Sequence, residues 1–152
     1  MFRGIANATL DAKGRMPLPA RFREQVIERC GGRVILTTDL SEKCLLLYCE
    51  QDWDELQRTV DELPNLSSNA RKLQRLLIGH ASDLELDGSG RLLVSPFLRE
   101  LAELEKKVVV VGQTRKIEIW SEDNWQRNTA ELLSPESRAR LVASEEFGSL
   151  SL

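Results

Sequence analysis

Arg3, Lys13, Arg15, Arg21 and Arg23 place five cations in the first 23 residues against one acid, Asp11, in a chain whose formal net charge is −3. Positive charge gathered in so short a stretch of an acidic protein suits one face to an anionic partner. The planar forks of the arginines match phosphate oxygens and base edges, so the chemistry on offer is binding. Catalysis has little to work with: there is no nucleophile elbow, no phosphate loop, no paired set of metal ligands, and His80 is the only histidine. The residues therefore assign no catalytic group, no metal and no cofactor. Cys30, Cys44 and Cys49 are odd in number and lack a Cys-x-x-Cys pair, which reads as buried free thiols. His80 reads as a structural or surface residue.

Lys13 and Arg15 belong to a phrase that occurs twice, Leu10-Asp11-Ala12-Lys13-Gly14-Arg15 and Leu86-Asp87-Gly88-Ser89-Gly90-Arg91. A shift of 76 positions superposes residues 10–24 on 86–100 with 6 of 15 identical, ending in Arg23-Glu24 and Arg99-Glu100. A duplicated unit is implied. Gly14 and Gly90 supply the positive φ of a tight turn, while Asp11 and Asp87 shape it or pair with Arg15 and Arg91. An arginine leaving such a turn stands at a rigid tip and has little entropy left to lose on binding. Arg15 is thus the leading contact to an anionic partner, with Lys13 as a further point charge and Arg3, Arg21 and Arg23 nearby. The second copy has Ser89 in place of Lys13 and Phe97 in place of Arg21, so Arg91 is expected to serve packing or an ion pair.

The same elements are predicted around each turn: a strand over 5–10 or 83–86, the turn, and a short strand over 16–18 or 92–94. A helix then begins at Pro19 or Pro96, with Ser95 as a cap in the second copy. Phe22, Val26, Ile27 and Cys30 give the first helix an apolar stripe that stops at Gly31-Gly32; its counterpart runs through Leu101 and Leu104. Hairpins follow at 34–38 with 44–48 and at 108–111 with 116–120. Helices are expected over 51–63, 70–78, 123–133 and 135–146. Trp53 and Trp125 carry the repeat onward. Arg71, Lys72 and Arg75 form a second basic cluster, with connector and groove-reading helix as alternatives. The stretch from Glu42 to Glu62 is acidic, a solvated face or one that keeps nucleic acid away.

At 152 residues the chain is sized for one core or two fused half-cores, and no apolar run approaches the ~20 residues that span a bilayer. The N-terminus lacks the apolar stretch of a signal peptide, so a cytoplasmic protein is expected.

The opening Met1-Phe2-Arg3-Gly4, both Asp-x-x-x-Arg phrases, Arg75-Leu76-Leu77-Ile78-Gly79-His80-Ala81, Val111-Gly112-Gln113 and Trp120 together resemble the MraZ family of the bacterial division and cell wall gene cluster. The resemblance covers essentially the full length. It implies an α+β fold in which duplicated β-hairpin and helix units form a swapped-hairpin barrel of the AbrB and SpoVT type within one chain. The organisation expected is a first repeat over 1–50, a helical connector over 51–80, a second repeat over 81–120 and C-terminal helices over 121–152. It further implies a ring-like homo-oligomer that binds short repeated sites in promoter DNA, represses its own operon and is associated with the nucleoid. Arg23 falls where simple AbrB-type relatives carry a DNA-contacting arginine. The alternative from another class is an oligomeric interaction protein that binds a partner enzyme through its acidic helices.

Overall fold

The computed structural model describes residues 1–151 as a mixed α+β protein. Strand β1 (Phe2–Thr9), the first turn, β2 (Arg15–Pro17), α1 (Ala20–Cys30), β3 (Arg33–Thr38) and β4 (Leu45–Cys49) make the first set of elements. Helices α2 (Glu50–Asp61) and α3 (Ser68–Leu77) connect it to β5 (Ser82–Glu85), β6 (Arg91–Leu93), α4 (Pro96–Leu101), β7 (Lys107–Thr114) and β8 (Lys116–Ser121). Residues 1–121 are one compact unit, and residues 122–152 form a second that holds α5 (Glu122–Leu132), α6 (Pro135–Val142) and a 3-10 turn over Glu145–Phe147.

Six strands form an antiparallel sheet in the order β1-β7-β8-β4-β3-β5, and β2 with β6 makes a separate two-stranded ribbon. The pairing crosses between the repeats. β1 of the first repeat lies along β7 of the second, Phe2 opposite Thr114 through Thr9 opposite Lys107, and β5 of the second lies along β3 of the first. The strands on either side of each turn thus pair with other strands and not with each other, while the expected hairpins β3 with β4 and β7 with β8 are ladders. β1 and β2 meet at the Asp11–Arg15 turn and then separate to different partners, an arrangement in which Met16 of β2 and Leu92 of β6 are fully buried.

One sheet face presents Val34, Leu36, Leu45, Leu47, Val108, Val110, Ile117 and Ile119 to a core closed by Met16, Leu18, Leu92 and Val94 and by Phe22 and Val26 of α1 and Leu98 of α4. The opposite face carries Ile35, Thr37, Leu46 and Tyr48; there Tyr48 meets Trp53 of α2 at 5.7 Å between rings, and the Thr37 hydroxyl donates to the Leu77 carbonyl of α3 at 2.6 Å. Burial on both sides explains why β4 is apolar at every position rather than alternating.

Helix ends depart from expectation where caps decide. Pro19 is the N-cap of α1 and not its first residue, with ψ 141° holding it extended, whereas Pro96 does begin α4 behind the Ser95 cap. Helix α4 stops at Leu101, short of Leu104: Glu103 turns to φ +54°, and the Leu104 amide donates back to Arg99 while Glu103 donates to Glu100. That pair of bonds is a Schellman ending with Glu in the glycine place. The helix expected over 135–146 is interrupted after Val142.

All three cysteines are free and buried, with Cys30 Sγ 2.8 Å from Cys49 Sγ. Burial first, then the neighbouring Cys30 thiol, pushes Cys49 up to about 12. His80 is half-buried, stacks on Phe97 at 5.4 Å and has Nδ1 2.9 Å from the Leu76 carbonyl. No helix among the described residues is long and apolar enough to cross a membrane.

Candidate nucleic-acid interface

The two turns fold alike because the same aspartate organises each. Asp11 Oδ1 accepts the amides of Lys13 and Arg15, both at 2.9 Å, and Oδ2 accepts Arg15 Nε at 2.9 Å. Asp87 repeats the pattern with Ser89, Arg91 and Arg91 Nε at 2.9, 2.9 and 2.8 Å. The backbone closes with Gly14 donating to Asp11 and Gly90 to Asp87, at φ +86° and +74°. Bonds from the arginine amides hold both carboxyls below the usual 3.8, helped by the guanidinium contacts and opposed by partial desolvation. Each arginine is therefore tethered by Nε, a bond that uses one of the five N–H donors of its guanidinium.

Strands β2 and β6 then set the two arginines on one surface. Arg15 pairs with Leu93, Met16 with Leu92, and Pro17 with Arg91. Side chains alternate along a strand, so Arg15, Pro17, Arg91 and Leu93 share the outward face while Met16 and Leu92, both 0% exposed, point to the core. Arg15 and Arg91 are diagonal neighbours, about 7–8 Å apart by the usual geometry of an antiparallel pair.

Each turn is braced by the opposite repeat. Leu18 donates its amide to the Gly90 carbonyl at 3.1 Å, and Val94 donates to Gly14 at 2.7 Å. Side chains cross in the same way. Arg23 of α1 lies over Gly90, where an added Cβ would collide with Arg23 Cδ, and Arg99 of α4 lies over Gly14, its Cζ 3.1 Å from where a Cβ would stand. Arg23 thus joins Arg91 and not its own repeat's Arg15, and Lys13 and Arg15 have Arg99 beside them. Sequence reasoning missed Arg99; its signal was the shift of 76 that aligns it with Arg23.

Arg3 and Arg21 make a separate group at β1. Arg3 is exposed opposite Gln113, and Arg21 covers Gly4, reaches the Ile5 carbonyl at 3.4 Å and sits 5.3 Å above the Phe22 ring. Arg71, Lys72 and Arg75 of α3 are exposed. Three of the five acids of α2 are taken up within the chain: Asp52 by Arg29, Glu50 by Arg33 and Glu55 by Arg115, at 2.9, 3.0 and 2.7 Å.

Among the described residues, one set of possible metal donors, Asp39, Cys44 and Glu118, lies within 4.8 Å. Burial pushes the Cys44 thiol far above its usual range, which disfavours the thiolate that a metal would need, and also raises Glu118. Asp39 Oδ2 is already occupied by the Ser41 and Glu42 amides.

The duplicated architecture is matched from outside the chain. The family model of the MraZ protein fits twice, over residues 1–76 and 77–144. The transcriptional regulator MraZ of Alkalilimnicola ehrlichii is 47% identical over 152 residues, all of both chains. That of Thioalkalivibrio sulfidiphilus is 46% identical over 136 residues, 90% of each, and that of Pseudomonas putida 48% over 130 residues, 86% of each. With both repeats matched and the likeness running from end to end, the chain belongs to the MraZ family.

Proposed function

We propose that this chain is a DNA-binding transcription regulator, not an enzyme, that offers the outward face of the β2–β6 ribbon and its two turns to the major groove. The single observation that carries the reading is the pair Arg15 and Arg91 on that face, each with Nε tethered to an aspartate and the remaining N–H donors of its guanidinium beyond that bond. A two-stranded ribbon is of a size the major groove admits, and an arginine fork is the commonest reader of guanine. Lys13 adds phosphate contact beside Arg15, Arg23 beside Arg91, and Arg3 and Arg21 extend the basic surface along β1.

The exchange of first strands between repeats supports a swapped-hairpin arrangement that approximates a barrel. Magnitudes favour an oligomer on repeated sites. About three phosphate contacts per chain give a salt slope of about −2.7, a fall of only about 40-fold between 50 and 200 mM salt. About four subunits on tandem sites would make about twelve contacts and gain from effective concentration. The protein then acts in the cytoplasm at the nucleoid as a ring-like homo-oligomer that represses its own operon. The competing role, docking of a partner enzyme on acidic helices, is weakened by the arginines that already neutralise Glu50, Asp52 and Glu55.

The test is a gel-shift titration with the gene's own upstream duplex, with light scattering on the same samples. Retarded complexes that resist unrelated competitor, formed by a particle several times 17.2 kDa, are expected. Equal affinity for unrelated DNA would overturn the specific reading, and a monomer would overturn the ring.

A further inference from the structure

We infer that the DNA-reading turn of each repeat is completed by an arginine of the other repeat, Arg99 acting on Arg15 and Arg23 acting on Arg91; the inference rests on the DNA-binding reading of the ribbon. Gly14 links Lys13 to Arg15, and the Arg99 guanidinium packs against it, with Cζ and Nε 3.1 and 3.2 Å from where a Cβ would be. Arg99 Nε is sealed from solvent and has no hydrogen-bond partner. A desolvated, unpaired donor is costly unless something else needs the group there. What sits there is the backbone that aims Arg15, already tied to the second repeat by the bond from the Val94 amide to the Gly14 carbonyl at 2.7 Å. The mirror arrangement holds at the second turn, where Arg23 packs on Gly90 and Leu18 bonds its carbonyl at 3.1 Å.

Two consequences follow from the crossing. Arg99 fixes the peptide between Lys13 and Arg15, so it acts through them as a positioning residue, and it adds a cation to the potential at their turn. The second turn, which lacks a counterpart of Lys13, receives its extra cation from Arg23. The basic surround of each turn is therefore supplied in part by its twin, and a lesion in one repeat is felt at the reading turn of the other.

The experiment is a set of double-mutant cycles on affinity for the gene's own upstream duplex. Arg15→Lys and Arg91→Lys weaken each reader without abolishing it, and Arg99→Met and Arg23→Met keep the aliphatic stem while removing the guanidinium. Neighbours that share a network couple, and independent sites do not. Arg99→Met is expected to cost about tenfold in the native background, under about threefold when Arg15→Lys is present, and the full tenfold beside Arg91→Lys. Arg23→Met should behave in the opposite sense. Melting temperature and light scattering accompany each variant, and Arg99→Lys serves if Arg99→Met does not fold, since it too removes the planar group over Gly14. A general loss of structure would lower affinity without preference for Arg15. Coupling within repeats, or effects that multiply in every pair, overturns the inference while leaving DNA binding intact. A native chain that does not distinguish its upstream duplex from unrelated DNA fails earlier, at the DNA reading itself.

Discussion

Arg15 and Arg91 sit diagonally on one face of a single two-stranded ribbon, Arg15 opposite Leu93 and Arg91 opposite Pro17, though 76 residues separate them in the chain. Their side chains are 36% and 34% exposed and are held by aspartates in the same way, so the asymmetry between the repeats lies in their neighbours and not in the arginines. Arg15 has Lys13 next to it, where Arg91 has Ser89. Arg15→Ala should therefore remove about 1–3 kcal/mol of discrimination per subunit, and Arg91→Ala should remove less. Because exposed ion pairs contribute about 0–1 kcal/mol, neither should move the melting temperature by more than a few degrees. Gel shift and thermal melting on the same preparations check this; Arg91→Ala costing more affinity than Arg15→Ala reverses the ranking.

The aspartates give a pH signature. Amide bonds from Arg15 and Arg91 chiefly hold Asp11 and Asp87 below 3.8, with the guanidinium as a lesser cause. A carboxyl lowered in the folded state stabilises the turn above its unfolded value, and that contribution is lost as pH falls through the folded midpoint. The turns should be unaffected from neutral pH down to about pH 4. Carboxyl carbon NMR should place both midpoints below 3.8, and Arg15→Ala should move Asp11 only part of the way back, because the amide bond survives, while Asp87 stays fixed. A full return of Asp11 to 3.8 would contradict the amide as the main cause.

The glycines of the two turns should not be equivalent. Both have positive φ, which costs other residues about 1–2 kcal/mol. At Gly14 an added Cβ also meets the Val94 carbonyl oxygen at 2.6 Å, backbone that cannot step aside, whereas at Gly90 the obstruction is the flexible side chain of Arg23. Gly14→Ala is expected to lose about 3 kcal/mol or more and Gly90→Ala about 1–2 kcal/mol by urea unfolding. Equal losses would mean that Arg23 is as unyielding as the Val94 backbone.

How much of this was legible in the sequence depends on whether the cause is local. The turns were, because Asp11, Gly14 and Arg15 interact within five residues, and so were α1 and its end at Gly31, where φ is +63°. The partners of the strands were not. Nothing local distinguishes β1 beside β2 from β1 beside β7, whose ladder joins the two repeats across the length of the chain. The same holds for Arg99, visible as a repeat of Arg23 but placed by that strand exchange. The end of α4 at Leu101 was hidden because Glu103 occupies a site where glycine is the expected signal.

Glu118 offers a test of the core's electrostatics away from the basic face. Its carboxylate lies on β8, accepts Trp120 Nε1 at 3.2 Å and Gln113 Nε2 at 2.8 Å, and stands near buried Cys44. Burial raises its pKa above the usual 4.5; the Trp120 bond and Lys116 oppose this, and Asp39 and Glu42 add to it. Below pH 4.5 both folded and unfolded chains carry the proton, and the site is neutral in its effect. As pH rises through the raised midpoint the unfolded chain has already ionised, while the folded one must do so at a penalty, so stability falls over that interval and is then level. Glu118→Gln keeps Oε1 as an acceptor for Trp120 and removes the charge. The variant should match the native chain in urea unfolding well below pH 4.5 and exceed it at pH 7, with the gain appearing as pH rises past 4.5. A variant less stable at pH 7 would mean that the ionised carboxylate is held by its two donors more strongly than burial disfavours it.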